Sequence, residues 1–142
     1  MDITSGAGPA RRSVLVAGTG LLTVPLLAAC GGQGPGEAAT PPPSAAGTRL
    51  LAVSDVPVGS GVVLEVEGAP VVVVQPGAGT IRAFSGVCTH QGCAVQIGRA
   101  EIECPCHGSS FTFADGSVVT GPASRPLPPV PVSVVDGNVV LD

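Results

Sequence analysis

Lysine, tryptophan and tyrosine are absent from this sequence of 142 residues, and only 11% of its residues are charged. The six basic residues are all arginines and lie scattered along the chain: Arg11, Arg12, Arg49, Arg82, Arg99 and Arg125. Proteins that bind nucleic acid neutralise its phosphates with a basic patch or stripe. Because no such stripe exists here, we expect no nucleic-acid partner.

Long helices are not expected in the folded part of the chain, because glycine and proline are frequent, with 21 and 15 residues. This composition is typical of short strands joined by many turns. Val62, Leu64 and Val66 occupy alternate positions, which is the period of a half-buried strand. Further strands are predicted over 71–74, 80–85, 132–135 and 138–141. The predicted fold is all-β, a small antiparallel β sandwich or barrel.

Two turns are predicted between these strands. Ala69-Pro70 precedes the valine run and is interpreted as the turn before it. Asp136-Gly137 separates the last two strands and is a strong hairpin signal, because a type I′ turn needs positive φ at both central residues.

Residues 1–29 resemble a signal segment, with paired arginines followed by an apolar run from Val14 to Ala29. The sequence Arg11-Arg12-Ser13-Val14-Leu15 resembles a twin-arginine signal, and Leu27-Ala28-Ala29-Cys30 resembles the lipobox of bacterial lipoproteins. The resemblance implies that Cys30 is acylated and anchors the protein at the outer face of the cytoplasmic membrane. An uncleaved membrane anchor is the alternative, although the run is short and interrupted.

Residues 30–47 are rich in glycine, proline, alanine and serine. A segment so poor in bulky side chains is predicted to be a flexible tether. The folded domain is therefore expected to span residues 48–142.

Two short motifs carry the chemistry: Cys88-Thr89-His90-Gln91-Gly92-Cys93 and Cys104-Pro105-Cys106-His107-Gly108-Ser109. Each contains a cysteine and a histidine at a spacing that lets one loop present a thiolate and an imidazole together. Two such loops facing each other would offer two sulfur and two nitrogen ligands. A tetrahedral zinc site is one alternative. A disulfide scaffold with two bridges among the four cysteines is another, but it leaves both histidines unexplained.

The two motifs resemble the signature of Rieske proteins, C-T-H-x-G-C followed by C-P-C-H-G-S. The resemblance implies one 2Fe-2S cluster per chain in a subdomain of two facing loops, with Cys88 and Cys104 on the inner iron. It places His90 and His107 on the outer iron. It also implies a disulfide between Cys93 and Cys106, which is typical of the branch found in cytochrome bc complexes.

Further roles follow from the same resemblance. Ser109 would donate its hydroxyl to a bridging sulfide. Phe111 stands where quinol-oxidising members commonly carry a tyrosine that bonds a cysteine sulfur. Gly121-Pro122 resembles the proline loop that covers the cluster, although residues 123–126 depart from the common continuation.

The expected function is single-electron transfer between a redox donor and a redox acceptor, possible partners being a cytochrome or a quinol-oxidising complex. One alternative is the iron-sulfur subunit of a quinol-oxidising cytochrome bc complex, in which His90 or His107 would accept a hydrogen bond from the quinol. A second alternative is a structural zinc-binding module. The electron carrier would have no substrate pocket or catalytic residue of its own.

Overall fold

Ten strands, all paired antiparallel, form the framework of residues 39–142, the part of the chain that this computed structural model describes. They are β1 (Arg49–Ala52), β2 (Ser60–Val66), β3 (Ala69–Gly77), β4 (Thr80–Ser85), β5 (Gln96–Ile97), β6 (Ile102–Glu103), β7 (Ser110–Phe111), β8 (Val118–Thr120), β9 (Val132–Val135) and β10 (Asn138–Leu141). Two 3-10 turns, Pro43–Ala45 and Val53–Asp55, are the only helical elements within residues 39–142. No helix in this range has the length and hydrophobicity to cross a membrane.

The strands form three small sheets with the orders β1-β10-β9, β2-β3-β4 and β5-β6-β7-β8. This confirms the predicted all-β antiparallel fold. The strands of the third sheet lie between the first cysteine-histidine motif and Gly121-Pro122. Strands β5 and β6 separate the two motifs, and β7 and β8 follow the second motif. The sequence predicted one of these strands, with Ile102 facing inward and Glu101 and Glu103 facing solvent, and otherwise loops, because strands of two or three residues are too short to show a hydrophobic period.

Strand β3 lies at the centre of the domain and is buried on both faces. Val71 and Val73 belong to one apolar core, which also contains residues of β1, β9 and β10 or their flanks. Val72 and Val74 point to the other core, which contains the buried cysteines and Phe111. A strand covered on both faces has no polar side, and this explains the uninterrupted valine run.

The predicted C-terminal hairpin is confirmed. Asp136 and Gly137 have φ values of 48° and 73°, as a type I′ turn requires. The turn predicted at Ala69-Pro70 is wrong: β2 and β3 are joined at Glu67-Gly68, with φ values of 49° and 82°, and Pro70 lies inside β3 opposite Glu65.

The described part of the predicted tether, residues 39–47, packs on the domain. Ala45 is 1% exposed and belongs to the core around Val71. The Ser85 hydroxyl donates to the Ala39 carbonyl at 2.7 Å, and the Gly47 amide donates to the Leu141 carbonyl at 2.8 Å. A small side chain and backbone hydrogen bonds suffice for this packing, so the folded unit begins earlier than predicted. The signal segment, Cys30 and residues 31–38 lie outside the described residues.

Asp115 organises the turn between β7 and β8. Its Oδ1 accepts hydrogen bonds from the hydroxyls of Thr112 and Ser117, both at 2.6 Å, and from the Ser117 amide at 3.0 Å. Hydrogen bonds from Ser117 and then from Thr112 stabilise the carboxylate and lower the pKa of Asp115 to about 2, from an ordinary value of 3.8.

Replacing Asp115 by Asn is expected to lower the free energy of unfolding at neutral pH. A carboxyl group whose pKa is depressed in the folded state stabilises the fold above the unfolded pKa, 3.8, and loses this effect as the pH falls through about 2. The difference between wild type and Asp115→Asn should therefore shrink between pH 5 and pH 2, which urea unfolding at several pH values measures. Glu65→Gln, at an exposed position on β2, is the matched control. A difference that stays constant with pH would contradict this role.

Candidate metal centre

Two loops with the same backbone hydrogen bonds present the cysteine-histidine motifs. In the first loop, the Cys88 amide donates to the Cys93 carbonyl at 2.8 Å, and the Gly92 amide donates to the Cys88 carbonyl at 2.9 Å. In the second loop, the Cys104 amide donates to the Ser109 carbonyl at 2.7 Å, and the Gly108 amide donates to the Cys104 carbonyl at 3.0 Å. The two motifs are therefore equivalent turns, each with a cysteine at its first position.

Glycine is required at the fifth position of each loop. Gly92 and Gly108 have φ values of 76° and 78°, a region in which residues with a Cβ are strained. Glycine therefore allows the tight turn in each loop.

The two loops bring the histidines together. The ring centroids of His90 and His107 are 4.9 Å apart, and the ring planes meet at 88°. His107 is exposed and His90 is half-buried. The Nδ1 atom of His90 is buried and has no hydrogen-bond partner among the residues that the structure describes, which is costly for a polar atom unless something else binds it.

The sulfur donors lie deeper. Cys88 and Cys104 are free thiols, only 1% and 2% exposed. Burial raises the pKa of the Cys88 thiol, and the adjacent Cys104 thiol adds to this effect. Hydrogen bonds from the His90 backbone amide and the Ser109 hydroxyl to Cys88 act in the opposite direction.

A disulfide joins the two loops. Cys93 and Cys106 are bonded, with an S–S distance of 2.12 Å, which confirms the predicted pairing. The alternative of a scaffold with two bridges is wrong, because Cys88 and Cys104 remain thiols. The sulfur atoms of Cys93, Cys104 and Cys106 lie within 4.8 Å of one another, but only that of Cys104 has no covalent partner.

These groups fit a metal centre with mixed ligands. Two buried thiols at equivalent positions can act as thiolates, and a buried imidazole nitrogen without a partner can complete its bonding by holding a metal. The disulfide fixes the separation of the loops. Thiolate and imidazole donors suit iron-sulfur clusters and also zinc.

The segment after β8, predicted to cover the loops, is hydrogen-bonded to both of them. The Ala123 amide donates to the Ser109 hydroxyl oxygen at 3.0 Å, and the Thr89 hydroxyl donates to the Arg125 carbonyl at 2.6 Å. Gly121-Pro122, predicted to belong to this cover, forms a cis peptide bond and is exposed. No local signal in the sequence indicates the bond from Thr89 to residue 125.

Phe111 lies in the core that the site shares with β3. It is fully buried in one apolar cluster with Cys88 and Cys104. Phe84 and Phe113 belong to the same cluster. Ile102 is also buried there, whereas Glu101 and Glu103 on either side of it are partly exposed, as predicted.

Phe111→Tyr is expected to raise the midpoint potential of the metal centre. A hydroxyl that donates to a cysteine sulfur stabilises the reduced, more negative state, and a hydrogen bond of about 0.5 to 1.5 kcal/mol corresponds to about 20 to 65 mV in a one-electron couple. Potentiometric titration of wild type and variant measures the shift. Phe113→Tyr adds the same hydroxyl elsewhere in this core and is the control. An unchanged potential in Phe111→Tyr would show that the hydroxyl does not reach a sulfur.

Comparison with known proteins agrees with this geometry. A family profile described as "Rieske [2Fe-2S] domain" matches residues 48–131. The chain is 32% identical to the cytochrome b6-f complex iron-sulfur subunit 1 of Synechocystis, over 99% of this chain and 90% of that protein. It is 41% identical to the corresponding subunit of Chlorobaculum tepidum, over 62% of this chain, but it spans only about half, 49%, of that relative. The crystal structure of the plasma membrane Rieske protein PetC3 from Synechocystis superposes with a TM-score of 0.59 and 32% identity, over 66% of this chain and 97% of that one.

Proposed function

This chain belongs to the Rieske 2Fe-2S family, and we propose that it carries single electrons between redox partners at the outer face of the cytoplasmic membrane. The 2Fe-2S cluster that the family binds supplies the one-electron acceptor and donor. The observation that supports the proposal best is that the buried Nδ1 of His90 has no hydrogen-bond partner among residues 39–142, while the same pair of loops holds two buried free thiols.

The proposed ligands are Cys88 and Cys104 on one iron and His90 and His107 on the other. The buried thiols fit the inner position, and the exposed ring of His107 fits the side from which an electron enters or leaves. Two neutral imidazoles in place of two thiolates leave the site less negative, so it accepts an electron more readily. Such centres have potentials of about −150 to +300 mV, against about −400 mV with four thiolates.

Ser109, Phe111 and the segment Gly121-Pro122 are proposed to tune this centre. The Ser109 hydroxyl oxygen accepts a hydrogen bond from the Ala123 amide, so its own proton remains available for a sulfur acceptor. The same contact holds the covering segment over the loops and limits the access of water.

Metal and sulfide analysis of the full chain, produced in a host that assembles iron-sulfur clusters, tests the proposal. We expect two irons and two acid-labile sulfides per chain, visible absorption, and an EPR signal after one-electron reduction. A colourless protein that contains zinc would contradict the proposal and favour the structural zinc module instead.

A second candidate is the iron-sulfur subunit of a quinol-oxidising cytochrome bc complex. It is favoured by the relatives, which are iron-sulfur subunits of cytochrome b6-f complexes. In this role His90 or His107 would accept a hydrogen bond from the quinol. Copurification with a cytochrome b from detergent-solubilised membranes would support this role, and purification of the chain alone would favour the independent carrier.

The proposed export and anchoring rest on the sequence motifs of residues 1–29 and on Cys30. They divide the chain into a signal segment of residues 1–29, a lipid-linked tether of residues 30–47 and a Rieske domain of residues 48–142, with residues 39–47 of the tether packed on the domain. Cys30→Ser should move the protein from the membrane fraction to the soluble fraction. A membrane-bound Cys30→Ser protein would favour an uncleaved anchor.

A further inference from the structure

Three cysteine sulfurs are crowded at the edge of the proposed site. The Sγ atoms of Cys93, Cys104 and Cys106 all lie within 4.8 Å of one another, and Cys93 and Cys106 form a disulfide. Cys104 therefore places a free thiol within a few ångströms of both sulfurs of a disulfide. Cys88, the other free thiol, is not part of this group of three.

We propose that Cys104, when no metal centre holds it, attacks the Cys93–Cys106 disulfide, so that loss of the cluster is followed by disulfide exchange and loss of a ligand. The proposal rests on the proposed function, in which Cys104 is a ligand. A sulfur bonded to iron is not available as a nucleophile, so the cluster protects the disulfide while it is bound.

The reaction is internal and needs no added oxidant or reductant. The Cys104 sulfur gives up its proton and attacks Cys93, a Cys93–Cys104 bond forms, and the Cys93–Cys106 bond breaks. The Cys106 sulfur leaves and takes up a proton. The number of thiols and of disulfides is unchanged.

Exposure favours Cys106 as the leaving group. Cys106 is exposed, so the departing sulfur is solvated as it leaves, whereas Cys93 is half-buried. The alternative product, a bond between Cys104 and Cys106, would close a very small ring across the rigid Pro105. We therefore expect the Cys93–Cys104 product, with a solvent-accessible thiol at Cys106.

The consequence is a preferred order of assembly and a slower reloading. Once the disulfide has formed, loss of the cluster lets Cys104 change from a ligand into a disulfide partner. Such a chain takes up a cluster again only after the released Cys106 thiol has reversed the exchange or a reductant has opened the new bond. The cluster is therefore inserted most readily before the disulfide forms or before exchange occurs.

Cys88→Ser and Cys104→Ser, each in the full chain with Cys30→Ser, form a matched pair of variants. Each lacks one proposed ligand, but only Cys88→Ser retains the attacking thiol. Free thiols are alkylated in native buffer, and cleavage after Arg82 and Arg99 places Cys93 on one peptide and both Cys104 and Cys106 on the next. Fragmentation of the linked peptides without reduction then shows whether Cys104 or Cys106 carries the alkyl group. In Cys88→Ser we expect a Cys93–Cys104 linkage and alkylated Cys106 in most chains. In Cys104→Ser the Cys93–Cys106 linkage should persist.

A second test does not depend on these variants. A chelator in non-reducing buffer removes the cluster from the protein in which both ligand cysteines are intact. The same product should appear over time while circular dichroism shows that the strands persist. An intact Cys93–Cys106 bond with alkylated Cys104 would overturn the proposal, and so would equal scrambling through Cys88, which indicates unfolding. These outcomes differ from failure of the proposed function, which would show as a protein with both ligand cysteines intact that contains no iron or acid-labile sulfide and has no visible absorption.

Discussion

His90→Ala protein, produced in a host that assembles iron-sulfur clusters, is expected to be colourless and to contain no stoichiometric iron or acid-labile sulfide. The reason lies in the Nδ1 atom of His90, which is buried and has no hydrogen-bond partner within the part of the chain that the structure describes. Leaving such an atom unsatisfied costs about 1 to 3 kcal/mol. A bond from Nδ1 to a metal removes this cost. Alanine has no nitrogen that could bind the metal.

We expect the cluster to be lost completely. In this variant His107 is the one protein ligand left for the outer iron, and His107 is exposed to water, so it cannot hold the iron alone. Gln91→Ala is the control: Gln91 is the exposed neighbour in the same loop and is not a proposed ligand, so this variant should keep the wild-type absorption. If His90→Ala keeps wild-type iron, sulfide and absorption, His90 is not a ligand and the proposed set fails.

Much of this site could be predicted from the sequence, because its loops are local. All the backbone hydrogen bonds that shape each loop join residues at most five positions apart, so the spacing of cysteine, histidine and glycine within six residues determines the turn. The Asp136-Gly137 hairpin was predictable for the same reason. The disulfide pairing followed only from the family resemblance, since the spacing alone also allowed other pairings.

The contacts that were missed connect distant parts of the chain. The bond from Thr89 to the Arg125 carbonyl spans 36 residues, and the bond from Ser85 to the Ala39 carbonyl spans 46. The sequence does not indicate which distant carbonyl will accept a hydrogen bond from a threonine or serine hydroxyl. Ala45 was missed because a small residue in a proline-rich segment gives no hydrophobic pattern, yet it fills a place in the core.

Replacing both Cys93 and Cys106 by serine is expected to lower the free energy of unfolding by about 3 kcal/mol. The disulfide closes a loop with a sequence separation of 13 residues, and chain-entropy arguments give about this value for such a loop. Guanidinium unfolding, followed by strand circular dichroism and by visible absorption, measures the loss. Because the disulfide links the two loops, the absorption should disappear at a lower denaturant concentration than in wild type.

The same double variant also separates stability from reassembly. It has no disulfide for Cys104 to attack, so a chain that has lost its cluster should keep both Cys88 and Cys104 as thiols. After removal of the cluster in non-reducing buffer, the double variant should therefore be reconstituted with iron and sulfide faster than wild type, and prior treatment with a reductant should remove this difference. Equal reconstitution of both proteins without reductant would contradict the exchange. An unchanged free energy of unfolding would show that the disulfide does not stabilise the pair of loops.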